Sequence, residues 1–180
     1  MVSMKRRANI RPEFSDLPPE KRQEFAEHLR ERIYATLSLL AVMVVLWQHP
    51  EEHSAWGVIG IILGTVVALW LATIIAARMS YRMVHDTSEL EPKFREVVSS
   101  ASGLLAPAGV PVFFVLLAML QVMSMKWALS IGILSLVLSL FFFSLYAGRK
   151  SSDSLTKILL YSILQMALGV GVVLLKLAVE

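Results

Sequence analysis

The sequence predicts an all-α, polytopic membrane protein with five transmembrane helices, the first two forming a long helical hairpin that extends into the cytoplasm. Three observations carry that prediction. Apolar residues make up 56% of the chain and charged ones only 17%, a balance too apolar for a soluble domain. The charges are segregated: residues 33–50, 54–77, 97–125, 127–148 and 158–175 contain no Asp, Glu, Lys or Arg, and each run is long enough, or nearly so, to cross hydrocarbon as a helix. Lys and Arg then fall fifteen to two on one side, with only Lys126 and Lys176 on the other. Because basic residues near helix ends resist translocation, this places the N-terminus in the cytoplasm and Glu180 outside. Tyr34, Tyr81, Tyr146 and Tyr161 lie at the inner ends and Trp47, Trp56 and Trp127 at the outer ends, where amphipathic rings favour the headgroup level.

Residues 1–17 read as a basic cytoplasmic tail carrying Lys5, Arg6, Arg7 and Arg11, and residues 18–180 as a single transmembrane domain. A helix start is written at "SDLPPEKRQEF", with Ser15 or Asp16 as cap and Pro18 and Pro19 in the first turn. Phe25, Leu29 and Ile33 recur every fourth position, so a charged helix runs without a break into the first span, at about 30–48. That span lacks a small-residue cleavage site behind it and is expected to stay as an anchor.

The turn "WQHPEEHSAW" follows. His49, Glu51, Glu52 and His53 are groups that zinc or a similar divalent ion accepts, which makes this turn a candidate outer metal or proton site; the plainer reading is a solvated turn built on Pro50. The second span, about 55–79, carries a small residue at every fourth position: Gly60, Gly64, Ala68, Ala72, Ala76 and Ser80. Helices in lipid gain little from burying apolar surface and associate where small side chains let backbones approach, so this ladder marks a helix contact, within the chain or between copies.

At the inner exit Arg78, Arg82, His85 and Asp86 form a candidate charge cluster, or the ordinary polar end of a span with snorkelling arginines. Residues 87–100 then read as a short cytoplasmic amphipathic segment. The third span, about 103–124, starts with Pro107, Gly109 and Pro111, which remove backbone donors and weaken the helix, giving either a kinked helix end or a broken-helix site of the kind transporters use. The fourth, about 127–147, forms a hairpin with the third and bears Gly132, Ser135 and Ser139 on a small-residue stripe; the fifth, about 155–178, has Gly171 on a similar face.

No cysteine is present, which excludes disulfides and thiolate chemistry, and the span interiors hold no His, Asp or Glu. No catalytic site or cofactor is therefore expected. The pI near 9.3 reflects basic residues beside membrane ends, so the expected partners are the bilayer with its anionic headgroups and either further copies or other membrane subunits, not nucleic acid. The sequence thus points to a non-catalytic protein of the cell inner membrane, a self-associating scaffold or the membrane subunit of a larger complex; the alternative is a small oligomeric channel or transporter for an ion or small solute. Since the chain has no native thiol, single cysteines report its topology directly: at Ser54 and at Lys176 they are expected to react with an impermeant maleimide from outside, and at Ser88 only after permeabilisation.

Overall fold

The computed structural model describes residues 18–84, 102–150 and 154–179. The basic tail, the amphipathic segment 87–100, and His85 and Asp86 lie outside the described residues. Among the described residues the structure is 90% helical, with no strands. Five α-helices and one 3-10 segment follow in order among the described residues: α1 (Pro19–Gln48), α2 (Ala55–Val84), the 3-10 segment (Ser102–Ala108), α3 (Gly109–Met119), α4 (Met125–Lys150) and α5 (Leu155–Val179). Three of them are long and apolar enough to cross a membrane, at Ala55–Ser80, Met125–Arg149 and Leu155–Val179, and Gly103–Met119 is a shorter apolar stretch. The chain is therefore a membrane-type helical protein.

α1 starts two or three residues later than its expected cap at Asp16 or Ser15. Pro18 occupies the N-cap at φ −52°, ψ 146°, Pro19 takes the first helical position, and no side chain caps the end. Ser15 and Asp16 lie outside the described residues. Proline at the first position has no N–H to satisfy and is already set at the helical φ, which weakens the need for a capping side chain. The helix then runs 30 residues, roughly 45 Å, and ends ahead of Pro50, whose ring forces His49 out of the helical region at φ −122°, ψ 57°. Its second half is the hub of the fold. Ala35, Thr36, Leu39, Leu40, Met43, Val44 and Leu46 are all buried, and α1 packs against α4, α5, the 3-10 segment and α2. Its contact with α4 is more extensive than that with α2, so the two helices joined by the 49–54 turn are not each other's principal partners.

α2 begins at a serine cap, Gly57 N–H donating to Ser54 Oγ at 3.1 Å. Val58, Ile59, Ile62 and Val66 face the core, and the helix covers α1, α3 and the 3-10 segment along that side alone. The entry to α3 is a break. Pro107 sits inside the 3-10 segment, and Pro111, buried in the first turn of α3, has no N–H to give the carbonyl four residues back; the tighter 3-10 turn is how the chain meets both constraints. α3 closes in a Schellman motif: Val122 N–H reaches Leu117 O at 3.1 Å and Gln121 N–H reaches Ala118 O at 3.0 Å, with Gln121 left-handed at φ 61°. The helix thus stops at Met119, short of the expected 124.

Three glycines hold the helices together. A Cβ at Gly132 of α4 would stand 2.5 Å from Met43 Cε and 3.5 Å from Pro111; at Gly148 it would lie 2.7 Å from Ile158 Cγ2; at Gly169 of α5, 2.7 Å from Leu140 Cδ1. Of the three, Gly148 faces the stiffest neighbour, because Ile158 is β-branched and also approaches at 3.0 Å and 3.2 Å through Cγ1 and Cβ. Gly148→Ala is accordingly expected to destabilise the purified protein by about 1–3 kcal/mol in detergent unfolding, while Gly64→Ala, in open space, shifts stability by no more than about 0.5 kcal/mol.

Candidate functional site

The small-residue ladder of α2 occupies the side of the helix opposite Val58, Ile62 and Val66. Gly60, Gly64, Ala68, Ala72, Ala76 and Ser80 are all exposed, and nothing lies within 4 Å of a Cβ built at Gly60 or Gly64. The ladder has no neighbour within the described residues. Exposed apolar side chains, Ile61, Leu63, Val67, Leu71 and Ile75, border it, so the face is a shallow apolar trough along most of α2. Gly171 on α5 is also exposed in open space, whereas Gly132 is spent on the α1 and α3 contact.

Six hydroxyls of the spans bond to their own helices. Ser135 Oγ donates to Gly132 O and Ser139 Oγ to Leu136 O, both at 2.7 Å, and Thr36, Thr65, Thr73 and Ser162 do the same with carbonyls one turn back. These hydroxyls are already satisfied.

At the end of the bundle carrying Trp47, one contact ties distant segments together. Trp47 Nε1–H donates to Ser130 Oγ at 2.8 Å, Ser130 Oγ–H donates to Lys126 O at 2.8 Å, and Lys126 Nζ lies 5.0 Å from the centre of the Trp47 ring. The tryptophan thereby pins α1 to the first turn of α4. Nothing in the local sequence pairs Trp47 with Ser130, which lies 83 residues away. The neighbouring turn gathers only two of its four candidate ligands: His49 Nδ1 lies 3.3 Å from Glu52 Oε1, both groups well exposed. Glu51 and His53 point into solvent, and among the described residues no group of three or more His, Cys, Asp or Glu is assembled as a metal would need.

At the opposite end Phe25 of α1 meets Tyr146 of α4, ring centres 5.9 Å apart. Arg78 is exposed on α2, and the side chain of Arg82 lies outside the described residues with His85 and Asp86, so the inner charge cluster is represented by Arg78 alone. Of the broken-helix residues, Pro107 and Pro111 are buried and Gly109 is exposed. Three buried polar atoms have no hydrogen-bond partner among the described residues: Arg32 Nε, Gln48 Oε1 and Trp70 Nε1. Hidden polar groups of this kind are rare enough that each calls for an account.

No family model, curated protein or solved structure matches the chain. The geometry alone therefore selects among functions. For the Trp47–Ser130 contact, Trp47→Phe and Ser130→Ala are each expected to cost about 1 kcal/mol of stability, and a double-mutant cycle in detergent unfolding should return a coupling of about 0.5–1.5 kcal/mol.

Proposed function

We propose that the protein is a non-catalytic, five-span protein of the cell inner membrane that self-associates through the outward face of α2, serving as a scaffold or as the membrane subunit of a larger complex. The carrying observation is that the ladder from Gly60 to Ser80 is exposed among the described residues and open at Gly60 and Gly64. In lipid a glycine and alanine stripe facing acyl chains gains nothing over leucine, whereas against another helix it allows close backbone approach and dense packing. A second copy of α2 is its occupant, since the stripe is self-complementary about a two-fold axis.

Five spans follow if the three long apolar helices are joined by the apolar half of α1, which ends at Trp47, and by the 3-10 segment with α3. That last pair covers roughly 30 Å, taking seven residues at the 3-10 rise and 11 at the α rise. The distribution of Lys and Arg then sets the N-terminus in the cytoplasm and the C-terminus outside.

The channel or transporter reading draws on the break at Pro107, Gly109 and Pro111, because irregular backbone at membrane depth is characteristic of transport sites. The hydroxyls of Ser135 and Ser139, bonded to their own helix, do not favour it. The two readings separate in one preparation. Light scattering after gel filtration in mild detergent should give a dimer or larger assembly for the native chain, and Gly64→Leu should reduce it to monomer with helicity and melting unchanged, because the position is open within the chain. A monomeric native chain that purifies without a second protein would defeat the proposal, and solute flux in liposomes that survives Gly64→Leu would install the transport reading in its place.

A further inference from the structure

The two buried donors without partners lie in one neighbourhood. Arg32 of α1 rests against the 3-10 segment: a Cβ at Gly103 would stand 3.2 Å from Nε and 3.4 Å from Nη2 of the guanidinium. The absence of a side chain at Gly103 is what admits it. The adjoining residues, Ala35 on α1 and Leu104 in the 3-10 segment, form a small buried cluster, and Trp70 of α2 packs against that cluster with Leu69 and Ile74. Arg32 Nε and Trp70 Nε1 are both hidden and both unpartnered among the described residues. Each is an N–H with no capacity to accept, so neither satisfies the other and the missing partner is an acceptor.

Charge narrows the choice. A guanidinium is cationic at any accessible pH, and burying part of it without a counter-charge costs far more than leaving an amide unpaired. Within the described residues no carboxylate bonds Arg32. Its chain neighbour Glu31 projects about 100° away around the helix. Arg32 is nevertheless only partly buried, as is Trp70.

Depth narrows it further. Arg32 precedes Trp47 by fifteen residues on one continuous helix and Trp70 follows Trp56 by fourteen, which sets both roughly 21–22 Å from the tryptophan end of a hydrocarbon layer about 30 Å thick. Both donors therefore sit at one level, close to the cytoplasmic boundary of that layer. Phe25 and Tyr146 mark the boundary beyond them.

We propose that the junction of α1, α2 and the 3-10 segment binds the phosphate of an anionic inner-leaflet lipid, held by the Arg32 guanidinium with the Trp70 indole N–H as second donor. The planar fork of arginine matches two phosphate oxygens, and basic pockets between spans on the cytoplasmic side are where such headgroups lodge. A lipid supplies its phosphate already at the bilayer, with its acyl chains against the exposed apolar flank of α2; free phosphate would have to leave water to reach this level. The inference rests on the membrane arrangement proposed above but not on self-association.

Native mass spectrometry of the full-length protein in mild non-ionic detergent, titrated with phosphatidylglycerol, phosphatidylcholine or inorganic phosphate, tests it. The native chain should bind one phosphatidylglycerol per subunit in preference to phosphatidylcholine, and excess inorganic phosphate should not displace it. Arg32→Gln should weaken that binding about ten-fold or more and Trp70→Phe, which keeps a ring and loses the donor, about three- to five-fold. Arg30→Gln, on the exposed side of the same helix, should leave it unchanged. Should Arg32→Gln not fold, Trp70→Phe still gives the answer. Equal phosphatidylglycerol binding by the native chain and both variants overturns the proposal, as does equal binding of phosphatidylcholine; displacement by inorganic phosphate transfers the site to free phosphate and overturns the lipid assignment. Because the stoichiometry is read per subunit, loss of the α2 association through Gly64→Leu leaves this result independent.

Discussion

A carbonyl or N–H left without a hydrogen bond in hydrocarbon costs several kcal/mol, since no water is present to replace the lost partner. Most of what is seen in this structure is a response to that cost. The long helices close their backbone bonds internally, Pro107 and Pro111 are met by a tighter 3-10 turn, and α3 ends in a Schellman motif even though glutamine, not glycine, has to adopt the left-handed conformation. Side chains obey the same demand. Thr36, Thr65, Thr73, Ser135, Ser139 and Ser162 return their hydroxyls to their own helices, and Trp47 finds Ser130. Against that background the unpartnered donors of Arg32 and Trp70 stand out.

The second constraint concerns how helices attract one another at all. Acyl chains are as apolar as leucine, so cohesion comes from dense contact, and the bundle concentrates it where glycine allows close approach. Gly132 seats α4 on α1 and α3, while Gly148 and Gly169 seat α4 and α5 on each other. α1 occupies the middle of this arrangement, with its core residues spread over a broad face, whereas α2 and α5 are covered on one side and turn large aliphatic side chains outward. Such outward leucines and valines are the expected lining of a lipid-facing surface. The glycine and alanine ladder between those of α2 is not.

Much of the helix layout was readable before the structure because charge-free runs, prolines and tryptophans are local signals. The limits of α1, α2, α4 and α5 fall within a few residues of the expected spans, and the irregular entry at Pro107 was written in the prolines themselves. What a sequence of this kind withholds is which neighbour each face meets. The α2 ladder is legible as a packing stripe, yet its exposure among the described residues depends on where α1 and α3 lie. Gly148 and Gly169 carry no local signal of their role because a close approach is a property of two residues, and Ile158 and Leu140 bear no mark of being the other half. Arg32 was counted among cytoplasmic charges that set orientation; its position beside Gly103 and the Trp70 cluster is a tertiary fact. The ligand-rich turn is the converse case: four suitable residues fall within five positions, and of them His49 and Glu52 stand 3.3 Å apart.

The central place of α1 bears on how the protein is made. Of the five helices described it is made before the others, and α5, which packs against it, is made after them. At about 5–20 residues per second, translation from the end of α1 to the start of α5 takes about 5–20 s. Throughout that interval the helix must reside in the bilayer, or beside the insertion machinery, with part of its eventual contact surface still unmade. Its biogenesis is thus ordered from the inside outward, and slow elongation ahead of residue 155 prolongs the stage at which a stray helix can take the place reserved for α5.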